Sequence, residues 1–164
     1  MNREHHYKLE LVWTGNDGEG TRTYRGYRRD HVVGAPGLPD LPGSSDPAFR
    51  GDPSRWTPEQ LLVASLSQCH MLWYLHLAAT NGIVVVGYED APTGTMVEHV
   101  DGDGVFREVV LHPTVTIAEG DPELAQALHG RVNDVCFIAR SVNFPVHHEP
   151  VLLRTEDVSG RSAG

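Results

Sequence analysis

Two cysteines, Cys69 and Cys136, are the residues of this chain best suited to covalent chemistry. Two are too few for a disulfide framework, and in a reducing compartment a static bridge would be unusual, so a pair that cycles between thiol and disulfide is the reading to test. The plainer alternative is two small buried hydrophobes, since free cysteine is commonly buried. His70, His76, His147 and His148 raise a third possibility, zinc. Neighbours on a helix point about 100° apart, which keeps Cys69 and His70 from facing one ion, and the chain has no Cys-x-x-Cys pair, so no metal is assigned. His76 lies on roughly the same helix face as Cys69 and reads as a pocket-lining group or as a satisfied core or surface histidine.

The first cysteine sits on the clearest element. Thr57-Pro58-Glu59-Gln60 supplies an N-cap, a proline at the first helical position and a glutamine placed to close a capping box. Leu62, Leu66, Cys69, Trp73 and Leu77 then recur at spacings of three and four, and Asn81-Gly82 supplies the stop. The length and the stripe predict a central, buried helix. Cys136 closes a second helix, capped by Asp121-Pro122-Glu123, with Leu124, Leu128, Val132 and Val135 on one face. Both cysteines therefore lie on elements able to dock together.

Strands are predicted around these helices. Tyr7 to Trp13 and Thr23 to Val33 read as an N-terminal hairpin, followed by a long Pro- and Gly-rich loop from Gly34 to Trp56. Ile83 to Tyr88, Thr95 to His99, Val105 to Ile117 and Val146 to Leu153 are further strands, with Asp101-Gly102-Asp103-Gly104 as a hairpin turn. No repeat or linker divides the chain, which reads as one α+β domain over residues 1–154. The small and charged residues 155–164 predict a flexible tail.

Composition excludes several function classes. At 164 residues a single domain with a real core is expected, and 40% hydrophobic against 21% charged residues fits a soluble globular protein without a membrane span. A formal charge of -9 disfavours nucleic acid as a partner. Only Lys8 is a lysine, so nearly all the cations are arginines, suited to bidentate pairing. The opening Met1-Asn2-Arg3-Glu4-His5-His6 shows no apolar run behind a basic start, which makes a cytoplasmic location the default.

The stretch from Thr57 to Cys69 joins a Pro-Glu helix start to a cysteine ten residues after the glutamate, and Val135-Cys136-Phe137-Ile138-Ala139-Arg140-Ser141 surrounds the second cysteine. In both motifs, and in the order strands, helix, strands, helix, terminal strand, nearly the whole chain resembles the osmotically inducible protein C and organic hydroperoxide resistance family of thiol-dependent peroxidases. The resemblance implies an OsmC-like α+β fold, with antiparallel sheets around the long central helix and an intertwined homodimer whose paired active sites lie at the interface. It further implies a peroxidatic Cys69, a resolving Cys136, an organic hydroperoxide as substrate, no bound cofactor, and an external dithiol reductant such as a lipoyl group.

The chemistry explains those residue types. A thiolate attacks the terminal peroxide oxygen, expels an alkoxide and becomes a sulfenic acid, which a nearby thiol condenses to a disulfide. A cysteine in mid-helix gains little from the helix N-terminus, so a cation must come close, and an arginine held by a carboxylate can supply it. Glu59 is the matching carboxylate, but ten residues put it about 15 Å along the axis from Cys69, so it must hold a long arginine or serve the cysteine of a second chain. Arg50, just before the helix, is the first choice of arginine, one residue out of register with the family pattern; Arg28, in the expected second strand, is the second. Trp73, Tyr74 and Phe137 are candidates to wall an apolar pocket. The competing class is a binding or stress-related module that keeps the fold without peroxidase activity, and a zinc-dependent hydrolase is a third.

Overall fold

The computed structural model describes residues 3–156. These fall into two compact units, one up to Leu62 and one from Val63, with the boundary inside α1 (Pro58–Thr80), the helix that carries Cys69. Most of the expected tail, residues 157–164, lies outside the described residues.

In the N-terminal unit, β1 (Glu10–Trp13), β2 (His31–Gly34) and β3 (Leu41–Gly43) form an antiparallel sheet in that order. The expected hairpin is present, but its second arm is much shorter than Thr23 to Val33. Asn16 Oδ1 accepts from the Gly18 and Gly20 amides, each at 3.0 Å, and such local side-chain acceptors compete with strand pairing. Arg28 therefore lies in the connection before β2 rather than in a strand. The proline-rich segment is also less irregular than expected. It contains β3, whose Pro42 is tolerated because the strand is at a sheet edge, and a 3₁₀ turn over Pro47–Phe49 started by Asp46, which accepts from the Ala48 amide at 2.7 Å.

The start of α1 follows the sequence closely. Gln60 donates its amide to Thr57 Oγ1 at 3.2 Å, while the Thr57 amide donates to Gln60 Oε1 at 3.1 Å, a reciprocal capping box. At the other end Gly82, at φ +72°, takes the left-handed conformation that stops the helix.

The C-terminal unit holds the rest of α1, then β4 (Val84–Asp90), β5 (Thr93–Glu98), β6 (Gly104–Leu111), β7 (Pro113–Glu119), α2 (Pro122–Val135), β8 (Val146–His148) and β9 (Val151–Arg154). Two three-stranded sheets result, ordered β4-β7-β9 and β5-β6-β8. Both are mixed, not antiparallel throughout, because β8 runs parallel to β6 and β9 parallel to β7. The predicted strand from Val105 to Ile117 is two strands in different sheets. His112 donates its amide to Asp90 Oδ1 at 2.8 Å instead of to a ladder, and Pro113, which has no amide hydrogen, opens β7. Val146 to Leu153 is likewise divided, at Glu149-Pro150.

Two apolar clusters take up the α1 segment of this unit. One joins Tyr74 and Ala78 to Val115 and Ile117 of β7 and to Ala125, Leu128, Val132 and Cys136 of the α2 region; the other joins Leu66 to Val109 and Leu111 of β6. The fully buried row on α1 is Leu66, His70, Tyr74 and Ala78. The predicted row of Cys69, Trp73 and Leu77 is only partly buried against the first cluster. A helix covered from more than one side has no single inward stripe, so reading the largest residues picked the flank instead of the centre.

Candidate redox site

Three pairs of residues meet where α1 and α2 pack, and their order shows the helices running in opposite directions: Cys69 with Cys136, His70 with His129, and Tyr74 with Ala125. α2 begins on Asp121, whose carboxylate accepts from the Glu123 amide at 2.9 Å, with Pro122 at the first helical position. It ends on Cys136, whose amide still donates to Val132 O at 2.9 Å. His129 and Cys136 are seven residues apart, two helical turns, and so share a face.

Cys136 is buried and Cys69 half-buried, both as free thiols, and Cys69 packs against the apolar cluster that contains Cys136. Burial above all, and then the hydrogen bond to Cys69, push the Cys136 thiol up to about 11; the backbone amides of Ala139 and Ile138 pull weakly the other way, Ala139 N lying 3.5 Å from Sγ. At neutral pH Cys136 keeps its proton.

Further along α1 than Cys69, a cavity of about 220 Å³ is lined by Leu72, Trp73 and His76. Phe137, 68% exposed, stands edge-on to Trp73 with ring centroids 5.4 Å apart. Of the three aromatic residues predicted to wall a pocket, Trp73 is therefore on the wall with Phe137 beside it, and Tyr74 is not. Tyr74 is fully buried, donates its hydroxyl to Ala125 O at 3.1 Å, and stacks on His129 at 4.2 Å.

The histidines form something the sequence did not suggest. His70 Nε2 and His129 Nδ1 are 2.9 Å apart, and the two rings lie nearly parallel at 5.2 Å, with His148 of β8 tilted against both. Burial lowers His70 to about 4 and His129 to about 3, with the neighbouring histidines adding to the effect, so both are neutral at pH 7. His129 was missed because one histidine among Ala125, Leu128 and Val132 reads as a break in an apolar face; its place on that face was the available signal. The rings of His70 and His129 are stacked, unlike ligands converging on one ion. Among the described residues, the group whose donor atoms are close enough to share an ion is His99, Asp101 and Asp103, all exposed in the β5–β6 turn.

The other candidate residues belong to the N-terminal unit. Glu59, in the first turn of α1, has its Oε2 buried with no hydrogen-bond partner. Arg28 is already committed: its Nη1 donates to Asp30 at 2.5 Å, and its Nη2 pairs with Asp17 at 3.0 Å. Arg50 is exposed, sits in the left-handed region at φ +69° directly after the 3₁₀ turn, and makes no side-chain ion pair among the described residues. The sequence reading passed over Arg55, which is only 27% exposed and pairs with Asp52 at 3.5 Å and Asp30 at 3.8 Å. Its signal was the aspartate three residues earlier, a local spacing that favours pairing.

The α+β fold, with its two helices and mixed sheets, defines a class, and the comparisons agree with it. The OsmC-like protein family model matches residues 51–150, and the chain belongs to that family. It is similar to an OsmC-like protein of unknown function from Vibrio cholerae, with 28% identity and a TM-score of 0.80 over 90% of this chain and 100% of that one. The same fold occurs in an OsmC-like protein from Mycoplasma pneumoniae (15% identity, TM-score 0.70, 92% and 99% covered) and in an organic hydroperoxide resistance protein from Elizabethkingia anophelis (16%, 0.64, 93% and 100%). No curated protein matches the chain. No helix among the described residues is long and apolar enough to cross a membrane.

Proposed function

We propose that this protein is a thiol peroxidase that reduces organic hydroperoxides. Cys69 thiolate attacks the terminal peroxide oxygen, the alkoxide departs and takes a proton from water to become the alcohol, and the resulting Cys69 sulfenic acid condenses with the Cys136 thiol to give a disulfide and water. An external dithiol, of the lipoyl kind, then reduces the disulfide. The observation that carries this reading is that Cys69 of α1 packs against the apolar cluster that holds Cys136 at the end of α2, with both thiols free. The apolar cavity of Leu72, Trp73 and His76, on the helix that carries Cys69, suits the alkyl part of the substrate better than it suits hydrogen peroxide. Structural similarity to an organic hydroperoxide resistance protein supports the same reading.

The active unit is a cytoplasmic homodimer in this reading. Leu9, Leu11 and Val12 in and beside β1, and Leu72 and Phe137 in the other unit, are all more than half exposed, which leaves apolar surface for a second copy to cover. The partnerless Glu59 oxygen gives an arginine somewhere to bind. Arg50 is preferred over Arg28 for this role, because Arg28 is committed to two aspartates. One equivalent of cumene hydroperoxide should remove both thiols per chain rapidly; a chain that retains both is a binding module and not a peroxidase. Glu59→Gln should lower the rate at least about tenfold, about 1.4 kcal/mol of transition-state stabilisation, with the fold intact, and unchanged kinetics would rule the role out.

A further inference from the structure

Two imidazoles buried side by side are costly, since each gives up its hydration for a single hydrogen bond. His70 is 2% exposed and His129 1%. Among the described residues, the bond between them is the only polar contact of the His129 ring, because its Nε2 is buried without a partner. Buried polar pairs of this kind can act as register devices: an apolar interface tolerates sliding, whereas a hydrogen bond satisfies its atoms at one offset only. Here the offset has a chemical consequence, because His70 adjoins Cys69 on α1 and His129 sits two turns before Cys136 on α2. Tyr74 strengthens the same joint twice, by stacking on His129 and by donating to Ala125 O.

We propose that His129 is a positioning residue for closure of the Cys69–Cys136 disulfide: its bond to His70 locks α2 against α1 at the offset that sets the two sulfurs together. The step it serves is Cys69–SOH plus Cys136–SH giving the disulfide and water, with the hydroperoxide as the oxidant already consumed. The proposal rests on the two thiols forming a redox pair, as above, and holds for any oxidant that meets them.

The test is the position of the dithiol–disulfide equilibrium in glutathione buffers at pH 7, together with the rate of closure by the thiol oxidant diamide. His129→Leu removes the bond and fills the space. It should shift the equilibrium toward the dithiol about tenfold, near 30 mV for this two-electron couple, and slow diamide closure by a similar factor. Leu128→Ala, one residue away, leaves a cavity and lowers stability without touching the bond, and should leave the equilibrium within about twofold of the parent protein. His70→Asn attacks the joint from α1, should shift the equilibrium in the same direction, and serves if His129→Leu does not fold. Parent-like equilibria in the histidine variants, or an equal shift in Leu128→Ala, would overturn the proposal. A parent protein that closes its disulfide with diamide but does not consume cumene hydroperoxide would sink the peroxidase reading alone.

Discussion

Asp30 in the N-terminal unit and His129 in the C-terminal unit are both sealed from water, at 4% and 1% exposure, yet they are accommodated in opposite ways. Asp30 is surrounded by partners for its charge: Arg28 at 2.5 Å, Arg55 at 3.8 Å and the Ser44 hydroxyl at 3.3 Å. His129 is surrounded by rings and hydrocarbon, and burial keeps it neutral. A buried carboxylate is accommodated here by guanidinium groups that answer its charge, whereas an imidazole buried among its own kind gives up its proton. The first arrangement fixes a loop; the second leaves a neutral, pH-sensitive joint beside the two thiols.

Four measurements sharpen or break that contrast. The largest effect is expected at the thiols: Cys69→Ser should abolish hydroperoxide turnover, while Cys136→Ser should still trap a sulfenic acid at Cys69 but form no intramolecular disulfide, both read by mass spectrometry after oxidation. Acid should next act on the histidine joint. As pH falls through about 6.5, unfolded chains take up a proton at His70 that the folded protein refuses until about 4. Stability should therefore decline across that window by about 3 kcal/mol from His70 alone, and level off below it. Around His70 the neighbouring ionisable groups are His129 on α2 and His148 on β8, and Tyr74 of α1 stacks on His129 in turn. Urea unfolding from pH 7 to pH 4 checks this, and a flat profile would show that the rings take up water in solution.

In the N-terminal unit, Asp30→Ala should cost about 2 kcal/mol of unfolding free energy, because a buried charge-assisted network loses its centre while the arginines can turn to solvent. If it costs nothing, Asp30 is not the organising group of that unit. The smallest effect is expected at the capping box, where Thr57→Ala should cost about 1 kcal/mol without changing the thiol chemistry. Thermal melts are sensitive enough to resolve it.

Features governed by near neighbours could be read directly from the order of residues. The capping box of Thr57 and Gln60, the Asp121 cap with Pro122 behind it, the Gly82 stop and the β5–β6 turn each depend on a few consecutive residues, whose hydrogen bonds close within one turn. Breaks in strands were harder to see. The separation of β6 from β7 depends on the Asp90 carboxylate taking the His112 amide, a contact between residues 22 positions apart. Arg28 shows the same limit: the sequence offers it as a cation for Cys69, but Asp17, 11 positions away, pairs with it.

The sequence by itself determined that there are two capped helices, each bearing one cysteine, because caps, periodicity and cysteine count are local or simply additive. Only the tertiary structure decided that Leu66, His70, Tyr74 and Ala78 form the buried row, that His129 faces His70, and that Cys69 packs against the cluster that holds Cys136. Those outcomes depend on which surfaces of α1 are covered and at what offset α2 packs against it. Desolvation and hydrogen-bond geometry act there between residues far apart in the chain, and no short window of sequence contains both partners.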